Sequence, residues 1–128
     1  MAGTGNRHNT ITINITGLLW SRLKGRPCQP LNADTKIHIR LPTHTHYYYP
    51  DASVVCRSNP ETDSFQDDPV VVFEVLSDST HRLDDGEKRE GYLTIPALRV
   101  SLLVEQDEAA VIAYRRTEQG FVREIHTG

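Results

Sequence analysis

The sequence predicts a single α/β domain in which a mixed central sheet is flanked by helices. Three observations predict this fold class: an apolar stripe of helical period near the start, a continuous apolar run in the middle, and three strand-like segments near the end. The chain has 128 residues, a length typical of one domain with one hydrophobic core. Its 38% hydrophobic and 24% charged residues are ordinary for a globular protein, and its net charge of −3 produces no general attraction to nucleic acid.

The first element lies within NTITINITGLLWSRLKGR, a pattern compatible with two structures. Residues 10–16 alternate polar and β-branched side chains, as a strand does. Apolar side chains also recur there at helical spacing: Ile11, Ile15, Leu18, Leu19 and Leu23. Because this stripe is longer than a usual strand, we expect a helix, which Lys24-Gly25-Arg26-Pro27 ends.

Short strands are expected after this helix. IHIRL (37–41) alternates, PTHTH looks like a hairpin connection, and ASVVC (52–56) is a second strand. The polar stretch 57–69 is expected to be a loop between two strands. VVVFEVL (70–76) is apolar except for Glu74, which predicts a central strand buried on both faces.

The last third of the chain is expected to hold one helix and three strands. LDDGEKREGYLTIP predicts a short helix that stops near Pro96. RVSLLVE, AAVIAYRR and GFVREI predict three strands, of which the last two form a hairpin.

Two carboxylates suggest a site. Glu74 is costly inside an apolar run unless it is paired or bound to a metal; alternatively it is a satisfied buried acid, or faces water from an edge strand. Asp51, in YYYPDASVVC, either belongs to a turn or lies at the rim of the sheet, where its carboxylate binds a ligand. Two neighbouring carboxylates suit a hard cation such as Mg²⁺ or Mn²⁺, as in metal-assisted phosphodiester hydrolysis.

Such chemistry also needs a cationic side chain. The next position on the face of Glu74 is Leu76, which has no charge, so Lys88 is the candidate. Asp84 and Glu87 form a D-x-x-E capping box. In that frame four residues share the face that packs on the sheet: Lys88, Gly91, Tyr92 and Ile95. The alternative is a lysine that extends from beneath the helix into solvent.

The segments YYYPDASVVC, VVVFEVLSDSTHRLDDGEKREGYLTIPALRVSLLVEQD and VIAYRR together resemble the Uma-two family of restriction endonucleases. The resemblance extends over nearly the whole chain and is most specific from Glu74 to Tyr92. It implies a restriction-endonuclease-like PD-(D/E)XK core and a Mg²⁺- or Mn²⁺-dependent endonuclease that acts on DNA. Asp51, Glu74 and the carbonyl of Val75 then hold the ion, and Lys88 orients or activates water.

The resemblance also implies supporting residues. Ser77, Ser79 and Thr80 match the family's S-x-S-T loop; we favour turn and capping chemistry for them over hydrogen bonds to a phosphate or to metal-bound water. Asp84 matches the aspartate before G-E-K, Gln106 matches a D-Q motif, and Asp34 matches an acid on an earlier strand.

Family members usually start tens of residues earlier, with a helix and a hairpin that carry another acid. We therefore expect residues 1–128 to form one domain without those elements. Their absence favours an alternative function, in which the chain is a catalytically inert nuclease-fold protein that acts as a binding module.

The remaining expectations concern setting and partners. Cys28 and Cys56 fit no disulfide framework, so we expect reduced thiols in a cytoplasmic protein. No apolar run approaches the ~20 residues of a membrane span, and the N-terminus has no secretory signal. The expected partner is nucleic acid, with a homodimer because cutting both strands needs two sites.

Several side chains have two interpretations. We expect His38, His44 and His46 to be exposed histidines rather than zinc ligands, and His8 to be a helix-start residue that could face the site. The tyrosines 47–49 either stack on bases or pack in the core. A basic cluster at the end of the first helix (Arg22, Lys24 and Arg26) either contacts a nucleic-acid backbone or simply complements the helix dipole.

Overall fold

The computed structural model describes residues 5–76 and 84–128, with only the backbone of residues 84 and 85. The described elements are, in chain order, α1 (Asn6–Leu23), β1 (Gln29–Asn32), β2 (Lys36–Arg40), β3 (Thr45–Tyr48), β4 (Ala52–Val55), β5 (Phe65–Gln66), β6 (Pro69–Val75), a π-helical turn (Asp84–Lys88) that continues into α2 (Arg89–Leu93), β7 (Val100–Val104), β8 (Ala110–Thr117) and β9 (Gly120–Thr127).

The strands form two sheets. The larger sheet has the order β1-β4-β6-β7-β8-β9, and the smaller has the order β3-β2-β5. In the larger sheet β6 and β7 are parallel and the other pairs are antiparallel. The chain between β6 and β7 includes α2, as a parallel connection requires. The predicted mixed α/β sheet, the central position of β6 and the final β8–β9 hairpin are therefore confirmed.

The main core lies between β6, the smaller sheet and the α2 region. Its members are 0–3% exposed: Ile37, Ile39, Val72, Tyr92, Ile95 and Leu98. The predicted inner face of the second helix is correct, because Tyr92 and Ile95 are both buried. A side chain at Gly91 would place a Cβ 3.2 Å from both Ile39 Cδ1 and Tyr48 Cε2, so glycine allows the close approach of α2 to the smaller sheet without displacing these two side chains.

The predicted first helix is confirmed as α1, but it is loosely packed. It lies against β1, β4 and β6 through half-buried side chains, among them Ile11, Ile15 and Leu19, and none of its residues is buried. Leu18, which the apolar stripe included, is 56% exposed because it lies at the border of the packing face. No helix in the described ranges has the length and hydropathy of a membrane span.

Three strands were missing from the prediction: β1, β3 and the two-residue β5 within the polar stretch 57–69. β2 pairs not with residues 52–56 but with β3 and β5, and β1 pairs with β4 at the edge of the larger sheet. All three are short segments with mostly polar or half-buried side chains, so they carry little hydrophobic pattern. Their strand character depends on the partner that supplies the hydrogen bonds.

The expectation of reduced cysteines was wrong, because Cys28 and Cys56 form a disulfide. The register explains the pairing. Gln29 faces Val55 in the antiparallel β1–β4 ladder, so Cys28, just before β1, lies opposite Cys56, just after β4. The bridge closes a sequence separation of 28 residues. A loop of this size contributes roughly 3 kcal/mol by restricting the unfolded chain.

Candidate functional site

Two acids meet at one end of the β4–β6 pair. Ala52 faces Phe73 in the antiparallel ladder, which brings Asp51, just before β4, opposite Glu74. The Asp51 N–H donates to the Phe73 carbonyl at 3.0 Å and fixes this alignment. Asp51 is 8% exposed and Glu74 is 5% exposed. The two candidate acids, 23 positions apart in sequence, therefore lie side by side at one end of two strands.

The carboxylate of Asp51 is held by two groups. The Val75 N–H donates to Asp51 Oδ2 at 2.7 Å, and His8 Nε2 from α1 lies 3.3 Å from the same oxygen. The N–H and C=O of one residue in an extended strand point to the same side. The Val75 carbonyl is therefore directed toward the side on which Asp51 lies.

The carboxylate of Glu74 is held by the second helical segment. The Tyr92 hydroxyl donates to Glu74 Oε2 at 2.9 Å, and Lys88 Nζ lies 3.2 Å from the same oxygen. The Lys88 side chain is 21% exposed, so it lies against the acid instead of extending into solvent. The structure thus brings Asp51, Glu74 and Lys88 together.

The electrostatic environment of Glu74 is unusual for a carboxyl group. Burial raises the pKa of Glu74 to about 7, while Lys88 opposes this shift and the negative charge of Asp51 adds to it. The Tyr92 hydrogen bond also opposes the shift, because it favours the charged form. A cation between the two acids would reverse the destabilisation of the charged form of Glu74.

A groove of about 740 Å³ opens above these groups. The N-terminal half of α1 lines one part, the β1–β2 turn and the strand β3 line others, and Asp51 and Lys88 are in contact with the cavity. The remaining lining residues are His8, Asn9, Thr12, Ala33, Asp34, Tyr47, Tyr48 and Tyr49. Tyr48 packs inward, with its ring 5.8 Å from Lys88 Nζ, and burial raises its pKa.

The donor atoms fit a hard divalent cation. Asp51, Glu74 and the Val75 carbonyl offer oxygen, which Mg²⁺ and Mn²⁺ prefer. Within residues 5–76 and 84–128, no group of three or more His, Cys, Asp or Glu side chains is arranged to hold a metal ion. This limited set suits Mg²⁺, which is usually bound through one or two carboxylates together with water and substrate phosphates.

The structure describes two of the predicted supporting residues, Asp34 and Gln106, in different places. Asp34 is exposed and lies in the β1–β2 turn, where its N–H donates to Asn32 Oδ1 at 2.9 Å; it is not on a strand as expected, although it lines the groove. Gln106 follows β7 and lines a separate cavity with Ile11 and His126.

Other supporting residues fall at the limit of the described chain. Ser77, Ser79 and Thr80 lie outside the described residues. Asp84 begins the π-helical turn, and its side chain is also outside the described set, so the predicted capping box stays a prediction.

The histidines differ in their burial and in their contacts. His8 was expected mainly to start a helix, but it faces the groove beside Asp51. The helical spacing of His8, Ile11 and Ile15 was a signal that it lies on the packing face. His38 Nδ1 is 2.8 Å from Asp67 Oδ1 and only 9% of its side chain is exposed, so the expectation of an exposed histidine was wrong there.

A family model and two curated relatives match this chain. Residues 1–127 match the model of the Uma2 family, described as "Putative restriction endonuclease". The uncharacterized protein slr1290 of Synechocystis sp. (strain ATCC 27184 / PCC 6803 / Kazusa) is 34% identical over 122 residues, covering 94% of this chain and 63% of the relative. The uncharacterized protein sll1609 of the same organism is 32% identical over 109 residues, covering 83% and 60%. The chain thus spans about three fifths of the length of these curated relatives.

A solved structure shares the fold. The crystal structure of "a putative nuclease belonging to DUF820" from Anabaena variabilis ATCC 29413 has a TM-score of 0.76 and 17% sequence identity, and it covers 98% of this chain and 69% of that chain. The predicted restriction-endonuclease-like fold class is confirmed by this likeness. Because the family model extends over both acids, Lys88 and nearly everything between the two ends of the sequence, the chain belongs to the Uma2 family.

Proposed function

We propose that this chain is a metal-dependent endonuclease domain that hydrolyses phosphodiester bonds in DNA. The observation that carries the proposal is the convergence of Asp51, Glu74 and Lys88, with Lys88 Nζ only 3.2 Å from Glu74 Oε2. Two buried acids and an ammonium match the needs of metal-assisted hydrolysis, and Asp51 and Lys88 line the groove while Glu74 contacts Lys88. The family description and the nuclease fold of the solved relative support the same chemistry.

In this proposal, Asp51, Glu74 and the Val75 carbonyl hold Mg²⁺ or Mn²⁺. When bound, the ion polarises the phosphate and lowers the pKa of coordinated water. The Val75 N–H fixes one oxygen of Asp51, which lets the carboxylate keep its orientation without substrate. Lys88 stabilises the negative charge that develops on the phosphate, or orients the attacking water.

Two further residues position the acids. Tyr92 is 1% exposed and holds Glu74 through its hydroxyl, so it limits the rotamers of that acid. His8 lies beside Asp51 and closes the α1 side of the groove. Neither residue needs to exchange protons with the substrate in this scheme.

The assembly and the setting are also part of the proposal. A homodimer would supply the two sites that a double-strand cut requires. We place the activity in the cytoplasm, where the chain would meet DNA.

A binding module without catalysis is the second candidate. One observation favours it: Glu74 Oε2 already contacts both the Tyr92 hydroxyl and Lys88 Nζ within the protein. An acid satisfied by internal partners can be structural.

A plasmid-nicking assay with Mg²⁺ or Mn²⁺ separates the two candidates. We expect Glu74→Gln and Lys88→Ala each to lower the nicking rate by roughly 100-fold or more, because each removes a group that stabilises charge at the phosphate. Glu90→Gln, on the exposed side of α2, and Arg99→Ala, also exposed, are the matched controls and should retain activity. Equal nicking by all five proteins would identify a contaminating nuclease and contradict the proposal.

Metal binding is measured separately by thermal unfolding. A ligand at 100 times its Kd stabilises the folded state by about 2.7 kcal/mol. We expect Mn²⁺ to raise the melting temperature of the wild type and of Glu90→Gln, but not that of Glu74→Gln. An unchanged wild-type melting temperature at saturating Mn²⁺ would exclude the metal site.

A further inference from the structure

We propose that the groove receives a locally unpaired nucleic-acid strand, such as one opened from a duplex at the point of cutting, with a base stacked on Tyr49, rather than a continuously stacked duplex. The proposal rests on the proposed function and specifies its substrate class. Its basis is the arrangement of three successive tyrosines directly before Asp51.

The strand period separates these tyrosines into two roles. Tyr48 points inward, where its ring packs against Tyr92 at 5.8 Å between centroids in a T-shaped arrangement. Tyr47 and Tyr49 point to the opposite side and are 46% and 49% exposed. Both outward tyrosines line the groove, and only Pro50 separates Tyr49 from Asp51. The aromatic surface therefore leads directly to the candidate acid.

The two outward rings differ in their partners. The Tyr47 ring is stacked on His38 at 4.8 Å with an interplanar angle of 13°, and Lys36 Nζ lies 4.7 Å from its centroid. His38 thus holds the Tyr47 ring in place, and the Lys36 ammonium beside that ring can bind a phosphate. Among the described residues, Tyr49 has no recorded ring or cation partner, and its exposed ring offers a face to a base.

The depth of the acids disfavours a stacked duplex. Asp51 and Glu74 are only 8% and 5% exposed, and α1 and the tyrosines both line the groove above them. Stacked nucleotides rise about 3.4 Å each, which leaves no gap for an aromatic ring. Residues two apart in extended chain are separated by roughly 6.6 Å, and this spacing applies to Tyr47 in β3 and Tyr49, which follows β3 and precedes a proline that favours extended backbone. This spacing accommodates splayed bases, and a splayed strand brings its phosphate down to the acids.

The α1 side of the groove carries no acid. α1 contains no Asp or Glu between residues 6 and 23, and it presents His8, Asn9 and Thr12 to the groove. The lining also includes Lys88 and two acids, Asp34 and Asp51, and Lys36 Nζ lies against the Tyr47 ring. Ammonium groups beside exposed aromatic rings are the usual arrangement for binding single strands.

The test measures binding by the wild-type chain in EDTA, where no metal-dependent cleavage occurs. The probes are an unpaired DNA oligonucleotide, an unpaired RNA of the same sequence, and the blunt DNA duplex, each with one 2-aminopurine whose fluorescence falls on stacking. We expect an unpaired strand to bind at least 10-fold more tightly than the duplex, with quenching. The DNA and RNA probes show which sugar the groove accepts.

Substitutions at Tyr49 test whether its ring is responsible for the binding and the quenching. Tyr49→Ala and Tyr49→Leu should weaken binding of the unpaired strand roughly 10-fold and abolish quenching, whereas Tyr49→Phe should keep both. Trp20→Ala is the matched control, because Trp20 is 61% exposed and lies outside the groove. Tyr49→Leu keeps an apolar side chain without a ring, so lost quenching in a variant that melts at the wild-type temperature is assigned to the missing ring.

The outcomes separate this inference from the proposed function. Equal or tighter binding of the duplex, or unchanged binding in Tyr49→Ala and Tyr49→Leu, would overturn the inference even if the chain nicks plasmid. Quenching that depends on Tyr49, in a chain whose nicking does not depend on Glu74, would support the strand-binding groove and overturn only the hydrolysis.

Discussion

The two packing regions of this molecule differ sharply. Between β6, the smaller sheet and the α2 region, core side chains such as Ile37, Val72 and Leu98 are 0–3% exposed. In α1 no residue is buried, and Ile13 and Trp20 are more than 60% exposed. The two regions meet at the groove, where the densely packed region supplies Glu74 and Lys88 and α1 supplies His8.

This difference has a consequence for the proposed chemistry. The floor of the groove is fixed by buried hydrogen bonds, including those that hold Glu74 and Asp51. One side of it is a helix with few buried apolar contacts, which is typical of a segment with low local stability. The charged groups can therefore stay preorganised while the groove adjusts to its substrate.

The largest expected effect tests the burial of Glu74 in the densely packed region. Its pKa is raised from 4.5 to about 7, so the folded state keeps the proton at pH values where the unfolded state has lost it. The resulting stability is fully present below pH 4.5 and is lost as the pH rises to about 7. Relative to Glu74→Gln, the wild type should lose roughly 3 kcal/mol over this interval, as measured by urea unfolding at several pH values.

The matched control is Glu90→Gln, because Glu90 is exposed on the same helix. Its urea unfolding should follow the wild type at every pH. If Glu74→Gln also follows the wild type at every pH, Glu74 is ionised and well solvated, and its environment is not the buried one described above.

The second effect compares truncations in the two regions. Leu98→Ala, at a fully buried position, should lower the free energy of unfolding by about 3 kcal/mol, because it leaves a cavity in a dense core. Leu19→Ala, on the half-buried face of α1, should lower it by about 1 kcal/mol. Urea denaturation measures both, and equal losses would contradict the difference in packing.

The smallest effect uses two glycines. Gly17 lies in α1 with nothing within 4 Å of an added Cβ, so Gly17→Ala should stabilise the chain by about 0.5–1 kcal/mol. Gly91→Ala should instead destabilise it, because the new Cβ would lie 3.2 Å from Ile39 and Tyr48. Melting temperatures that move in the same direction would show that the two helices are packed alike.

Much of the fold could be predicted because local patterns and burial agree in it. The run 70–76, apolar except for Glu74, predicted a central strand, and the length of the apolar stripe in α1 favoured a helix over a strand. The spacing that placed Lys88, Tyr92 and Ile95 on one face was also correct. These features depend on side chains near one another in sequence.

The sequence by itself therefore determined the fold class, the family, and the identity of three groups that lie together at the site. Only the tertiary structure decided the partners of β1 and β3, the Cys28–Cys56 bridge, and the position of His8 beside Asp51. Each of these is set by strand register or helix docking between segments distant in sequence. Short polar strands and single side chains carry no local pattern from which such contacts could be predicted.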